Sequence, residues 1–143
     1  CDKNSIHHIF FSSTQVYKKP NIKNSINTKL NPQNLYGMQK MKIEKKINKK
    51  YGLIIRPAKI IKKNNDNFFK RFLDKKNKIL NIDSNYKIFF SDIKKLTEEV
   101  NKYLIQKRVG IINFSSSKKV SILNLAKNYL KNFKKYKIVS KSF

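Results

Sequence analysis

Short apolar runs alternate with amphipathic stretches along the chain, the pattern of strands interleaved with helices. Residues 6–13 read I-H-H-I-F-F-S-S, a β-rich run ending in small polar residues, and predict a buried strand. Residues 18–31 are polar, with Pro20 and several Asn, and predict a loop. Asn31 and Pro32 then supply a helix start, a cap followed by proline. Leu35, Met38, Ile43, Ile47 and Tyr51 form an approximate apolar stripe that Gly52 ends. Residues 53–56 make a short apolar strand closed by Pro57. Strand, helix and strand at this spacing predict a βαβ crossover and therefore a parallel sheet.

The second half repeats the alternation less cleanly. Residues 64–78 carry a weak helical pattern around Phe68, Phe69, Phe72 and Leu73. Residues 79–82 and 87–90 are short strand candidates. Ser91 or Asp92 caps a helix whose stripe is Ile93, Leu96, Val100, Tyr103 and Leu104. Residues 110–114, G-I-I-N-F, form another strand. Ser121 caps a helix with Ile122, Leu125, Ala126, Tyr129, Leu130 and Phe133 on one face, the cleanest helical periodicity in the chain. Residues 136–139 predict a last strand.

Composition sets bounds on this picture. A chain of 143 residues with 39% apolar content and 10 Phe can bury one core and is not a disordered tail. No apolar run approaches the roughly 20 residues of a membrane span, and the start carries no secretory signal pattern, so a cytoplasmic setting is expected. Cys1 is the only cysteine, which excludes an internal disulfide and supplies no metal-site spacing. His7 and His8 are adjacent on a strand and face opposite ways, so they read as strand-edge histidines, not metal ligands. The chain opens at Cys1, close to an apolar run and without a leading Met, so a piece of a longer protein is expected.

The net charge of +26 would ordinarily point to nucleic acid. All but three of the 34 basic residues are lysine, however, and Asn and Ile are abundant. Lys, Asn, Ile, Phe and Tyr are the residues of A/T-rich codons, and the lysines are dispersed along the chain. Coding bias accounts for them better than a dedicated nucleic-acid surface does.

The candidate chemistry lies in residues 36–40, Y-G-M-Q-K. Tyr36 and Lys40 are four apart and share a helix face. A free phenol has a pKa of about 10 and is a poor base at neutral pH. A neighbouring ammonium favours the phenolate, which suits the phenol to exchange a proton with a substrate hydroxyl. Ser13, at the end of the first strand, is the expected partner. Glu44 continues the same line at i+8 and reads either as a partner of Lys40 or as a solvated side chain.

A strand ending in S-S, then V-Y, a loop, and P-x-x-x-Y-G-x-x-K-x-x-x-E resembles the extended short-chain dehydrogenase/reductase family, the NAD(P)-dependent epimerases, dehydratases and reductases of nucleotide sugars. The resemblance continues through I-I-R-P-A-K-I-I at 54–61, K-I-F-F-S-D-I at 87–93 and the G-x-x-N and S-x-x-x-L-A segments within 110–126. It implies an α/β fold: a partial Rossmann-like parallel sheet with flanking helices and a small C-terminal substrate region. It also implies one incomplete domain, its catalytic half at about residues 1–60 and its substrate-binding region at about 61–143.

The same resemblance implies the roles. Ser13, Tyr36 and Lys40 are the catalytic set. Tyr36, Lys40, Pro57 and Ala58 lie beside the nicotinamide of NAD or NADP. Ser13, Thr14, Lys59 and Lys87 face a nucleotide-sugar substrate, and the intact enzyme is a homodimer candidate. Thr14 and Gln15 stand where 4,6-dehydratases carry Asp-Glu, which disfavours elimination and leaves epimerase or reductase. Lys18 replaces the usual glycine after V-Y, Lys62-Lys63 replace the usual G-P, and Asn85 stands where some epimerases carry an arginine for the substrate phosphate. The dinucleotide fingerprint G-x-G-x-x-G has no counterpart among Gly37, Gly52 and Gly110, so the fragment alone is expected to be inactive. A non-catalytic remnant of the fold and a basic nucleic-acid-binding domain are the alternative readings.

Overall fold

The computed structural model describes residues 4–63, 68–69, 73–74, 79–83, 85–129 and 137–139. In chain order its elements are β1 (His8–Phe11), α1 (Leu35–Glu44), β2 (Gly52–Pro57), β3 (Lys59–Ile61), β4 (Leu73–Asp74), β5 (Ile79–Asn81), β6 (Lys87–Ile88), β7 (Phe90–Asp92), α2 (Ile93–Ile105), β8 (Gly110–Phe114), β9 (Val120–Ser121), α3 (Ile122–Tyr129) and β10 (Lys137–Val139). The central strand is β2, buried along its whole length. It pairs in parallel with β1 on one edge and β8 on the other, with Ile54 opposite both Phe10 and Ile111. The expected crossover, with α1 between β1 and β2, is present, and the fold is an α/β parallel sheet flanked by helices.

Strand alternation decides what each face holds. Ile9, Leu53, Ile55, Ile112 and Phe114 pack with Leu96, Val100 and Tyr103 of α2. Their neighbours face the other way, toward α1, where Phe10 meets Lys40 and Arg56 meets Glu44. A second core gathers Ile61, Phe69, Ile82, Ile88 and the α3 residues Ile122, Leu125 and Ala126. It is framed by two-residue and three-residue strands: β3 beside β7 in parallel, β6 against β9, and β5 between β4 and β10.

Several boundaries differ from the sequence expectation. The first helix starts at Leu35, capped by Asn34 and not by Asn31, and it ends at Glu44, so Ile47 and Tyr51 lie in the turns that follow. Its apolar stripe is not the buried face: Leu35, Met38 and Ile43 are exposed, whereas Gly37 and Glu44 are buried. Ile93 and Leu104 likewise sit outside the core of α2. Within the weak helical pattern of 64–78, Leu73–Asp74 is a strand antiparallel to β5, and Phe68 and Phe69 pack edge to face; Phe72 lies outside the described residues. The strand expected at 87–90 divides into β6 and β7. Ser121 caps α3 as expected, its Oγ accepting from Asn124 N at 3.1 Å; Leu130, Phe133 and Tyr136 lie outside the described residues. Among the described residues, no helix is long and apolar enough to cross a membrane.

Candidate active site

At the end of β1 the chain leaves the sheet. Ser12 N donates to Ile55 O at 2.7 Å, the last ladder bond. Ser13 then caps a single 3-10 turn, Thr14–Val16, its Oγ accepting from Gln15 N at 3.2 Å. This fixes Ser13 at the C-terminal end of a parallel strand, where α/β folds place ligand-binding groups.

The helix carrying Tyr36 and Lys40 is docked onto that turn by its own cap. Asn34 Oδ1 accepts from Gly37 N at 2.7 Å, and Asn34 Nδ2 donates to Gln15 Oε1 at 2.9 Å. Gly37 lies against Gln15 and Pro32 so closely that a Cβ there would come within 2.9 Å of the Gln15 carbonyl carbon and of Pro32 Cβ. The absence of a side chain at Gly37 therefore allows the helix and the serine turn to meet. Lys40 Nζ donates to Phe11 O at 2.8 Å and lies 5.6 Å from the centroid of the Tyr36 ring.

Across the opening, β2 delivers Pro57 and Ala58, and Ala58 N donates to Phe114 O at 2.9 Å. Ser13, Thr14, Tyr36, Lys40, Pro57, Ala58 and Lys59 line one cleft of about 660 Å³. Lys87 is not among its lining residues. It pairs with Ser121 in β6–β9, while its neighbours Tyr86 and Ile88 line the cleft. Tyr86 and Phe89 form an aromatic wall that the sequence reading missed; two aromatics beside a short strand carry no signal that separates cleft from core. Lys59 Nζ lies 5.5 Å from the centroid of the Phe68 ring.

Glu44 neither pairs with Lys40 nor faces solvent. It is buried and forms a two-pronged ion pair with Arg56, Nε to Oε1 at 3.0 Å and Nη2 to Oε2 at 2.7 Å. Burial works against the Arg56 charge, but the hydrogen bonds and attraction from Glu44 more than offset it, and the guanidinium is held above its ordinary range. A signal was available here: an arginine inside the buried run L-I-I-R-P demands a carboxylate partner. The alternation of β2 turns Arg56 toward α1, and Glu44 is the carboxylate on that helix.

Elsewhere, His7 Nε2 is 2.7 Å from Arg108 O, and among the described residues no three His, Cys, Asp or Glu side chains cluster as metal ligands. Asp92 caps α2, accepting from Lys94 N and Lys95 N, and also accepts from Tyr129 of α3 at 2.5 Å. Burial raises the Asp92 pKa, but these hydrogen bonds prevail and hold it below its usual value. Burial, with the Asp92 bond and charge, pushes the Tyr129 phenol up to about 12.

No family model matches the sequence, and no curated protein sequence matches it. Solved structures do resemble it. A hypothetical dTDP-4-dehydrorhamnose reductase from Sulfolobus tokodaii superposes with a TM-score of 0.66 at 21% identity, over 95% of this chain and 50% of its own. The dTDP-4-dehydrorhamnose reductase from Yersinia enterocolitica gives a TM-score of 0.71 at 19% identity, over 93% and 50%. The UDP-glucuronic acid 4-epimerase from Bacillus cereus, solved with NAD, gives 0.65 at 19% identity, over 83% and 43%. The chain thus shares the fold of these nucleotide-sugar reductases and epimerase, and it spans about half the length of the solved structures it resembles.

Proposed function

We propose that the chain is the Ser-Tyr-Lys portion of an NAD(P)-dependent nucleotide-sugar epimerase or reductase. The observation that carries this reading is the convergence of Ser13, Tyr36, Lys40, Pro57 and Ala58, from three separate segments, on one cleft. The cleft fits the nicotinamide end of a dinucleotide: Lys40 is an ammonium with three hydrogens, one of them on Phe11 O, and Pro57 and Ala58 offer a flat, apolar wall. A bound nicotinamide supplies the hydride acceptor or donor.

The protein's own part is positioning and proton transfer. Tyr36 exchanges a proton with the sugar hydroxyl at the reacting carbon. Ser13, whose Oγ already accepts from Gln15 N, donates its hydroxyl hydrogen to the reacting oxygen. Lys40 orients the ribose hydroxyls and keeps positive charge beside Tyr36. Thr14 and Lys59, which line the cleft, are assigned to the substrate, and Lys87, outside the lining, is assigned to a more distant part of it. Residues 1–60 carry the chemistry and 61–143 the substrate region, and the intact enzyme is a cytoplasmic homodimer in this proposal.

The test uses the full natural chain with Tyr36→Phe beside it. NAD(H) and NADP(H) are titrated, and turnover of UDP-linked and dTDP-linked sugars is followed at 340 nm or by product analysis. Dinucleotide binding in both proteins, with turnover lowered by about 10²–10⁴ in Tyr36→Phe, is the expected result. Absence of dinucleotide binding, or equal turnover by the two, refutes it.

A further inference from the structure

One lip of the cleft is formed by Pro20 and Asn21. They belong to the segment between the 3-10 turn and α1, whose apolar side chains Ile22 and Ile26 are both about half exposed, at 48% and 46%. Apolar burial therefore does little to hold this lip. Instead, three consecutive carbonyls are held by three side chains from three different elements. Asn113 Nδ2 of β8 donates to Asn24 O at 2.8 Å. The Tyr17 hydroxyl shares its single hydrogen between Asn113 Oδ1 at 2.8 Å and Ser25 O at 3.1 Å. Arg56 Nη1 of β2 donates to Ile26 O at 3.3 Å and to the Tyr17 oxygen at 2.7 Å.

The connection runs on at both ends. Toward α1, Arg56 is locked by Glu44, one turn beyond Lys40 and two turns beyond Tyr36. Toward the lip, Asn24 Nδ2 donates to Lys19 O at 2.9 Å and to Ile22 O at 3.1 Å, bracketing Pro20 and Asn21. Tyr17, Asn24 and Asn113 also border a side pocket of about 110 Å³ that shares Pro20 and Ala58 with the main cleft. The Glu44–Arg56–Tyr17 part of this network is buried, so each bond broken there leaves a polar group unsatisfied, which makes it stiff.

We infer that Glu44, Arg56, Tyr17, Asn113 and Asn24 are positioning residues: one hydrogen-bonded relay that sets the lip of the cleft relative to the helix carrying Tyr36 and Lys40. The inference rests on the proposed function for its ligand. The lip contacts the part of a nucleotide sugar away from the reacting carbon, so loosening it weakens capture of that ligand and leaves the chemical step alone.

Tyr17→Phe and Asn24→Ala in the full natural chain test this. Asn24 lies in a surface segment, so its variant remains folded even where the Tyr17 change is severe. UDP-glucose and dTDP-glucose binding, NADPH binding, steady-state turnover and amide hydrogen exchange are compared with wild type. The expected result is a rise of about tenfold in nucleotide-sugar KM or Kd, with kcat and NADPH affinity within about twofold, and faster exchange over residues 19–26 with α1 unchanged. A fall in kcat at constant KM, or exchange over 19–26 that is unchanged in both variants, overturns the relay. If wild type binds neither sugar nucleotide, nor NADH, nor NADPH, the proposed function is what fails, and the exchange comparison decides the relay on its own.

Discussion

Gly37→Ala is a sharp test of how this site is assembled, because two physical effects pull in opposite directions. Alanine is the better helix former, by about 1 kcal/mol in a helix interior. Position 37, however, sits where α1 touches the serine turn. The added methyl would lie 2.9 Å from both the Gln15 carbonyl carbon and Pro32 Cβ, and closer still to Gln15 O, where ordinary contact begins near 3.4 Å. Two of these obstacles are backbone and cannot rotate away, so the helix and the turn must separate by about half an ångström or more.

Overpacking of this kind costs about 1–3 kcal/mol, and the upper part of that range applies where backbone is the obstacle. After the helix-propensity gain, the net loss is about 1–2 kcal/mol, a fall of about 3–8 °C in Tm for a chain of this size. The same displacement moves Tyr36 relative to Ser13, so turnover in the intact enzyme falls at least about tenfold. Thermal unfolding followed by circular dichroism gives the first number and steady-state kinetics the second. A Tm that rises by a few degrees, as propensity alone would give, with turnover intact, refutes the claim that Gly37 is required for the close approach.

Glu44→Gln leaves Arg56 buried with a neutral partner and is expected to cost about 3–5 kcal/mol in urea unfolding; a loss below about 1 kcal/mol would mean that the pair is solvated in solution. The Asp92–Tyr129 bond predicts a pH signature at both ends. Tyr129 is raised to about 12, so its contribution is complete below the unfolded value near 10 and is lost as pH rises toward 12. Asp92 is lowered, so its contribution is present above about pH 3.9 and is lost as pH falls through its folded value. The stability difference between wild type and Tyr129→Phe should therefore shrink at both extremes, and a difference that stays constant from pH 8 to pH 12 contradicts it. Among the described residues β1 pairs on one side only, and Ile6 and Phe11 beside that edge are exposed. The isolated chain should self-associate, more so as salt screens its +26 charge; a monomer by sedimentation at 0.5 M NaCl would count against this.

Much of the candidate site is legible in the sequence because its parts are local. A serine at a strand end, a tyrosine and lysine one turn apart, and a proline closing the next strand are each defined by a few neighbouring residues. Their relation to one another follows from the crossover rule. Short apolar runs likewise placed β1, β2 and β8, and the period-3.6 pattern placed α2 and the described part of α3. Where the pattern misled, in α1, the reason is that the helix docks through a glycine and an ion pair instead of its apolar stripe. Hydrophobic periodicity cannot register a contact made by having no side chain.

Tertiary structure alone decided the partners separated by long stretches of chain. Glu44 reads as a surface acid until the pleat of β2 turns Arg56 toward α1. Asn113 lies far along the chain from Tyr17 and Asn24, and no spacing rule joins residue 24 to residue 113. Tyr86 and Phe89 flank a strand of only two residues, Lys87–Ile88, and so short a strand sets no period that would put them in the lining and leave Lys87 out. Side-chain chemistry and local geometry are written in the order of residues. Which polar groups find one another in the interior is settled by the packing that removes them from water, and that requires the whole fold.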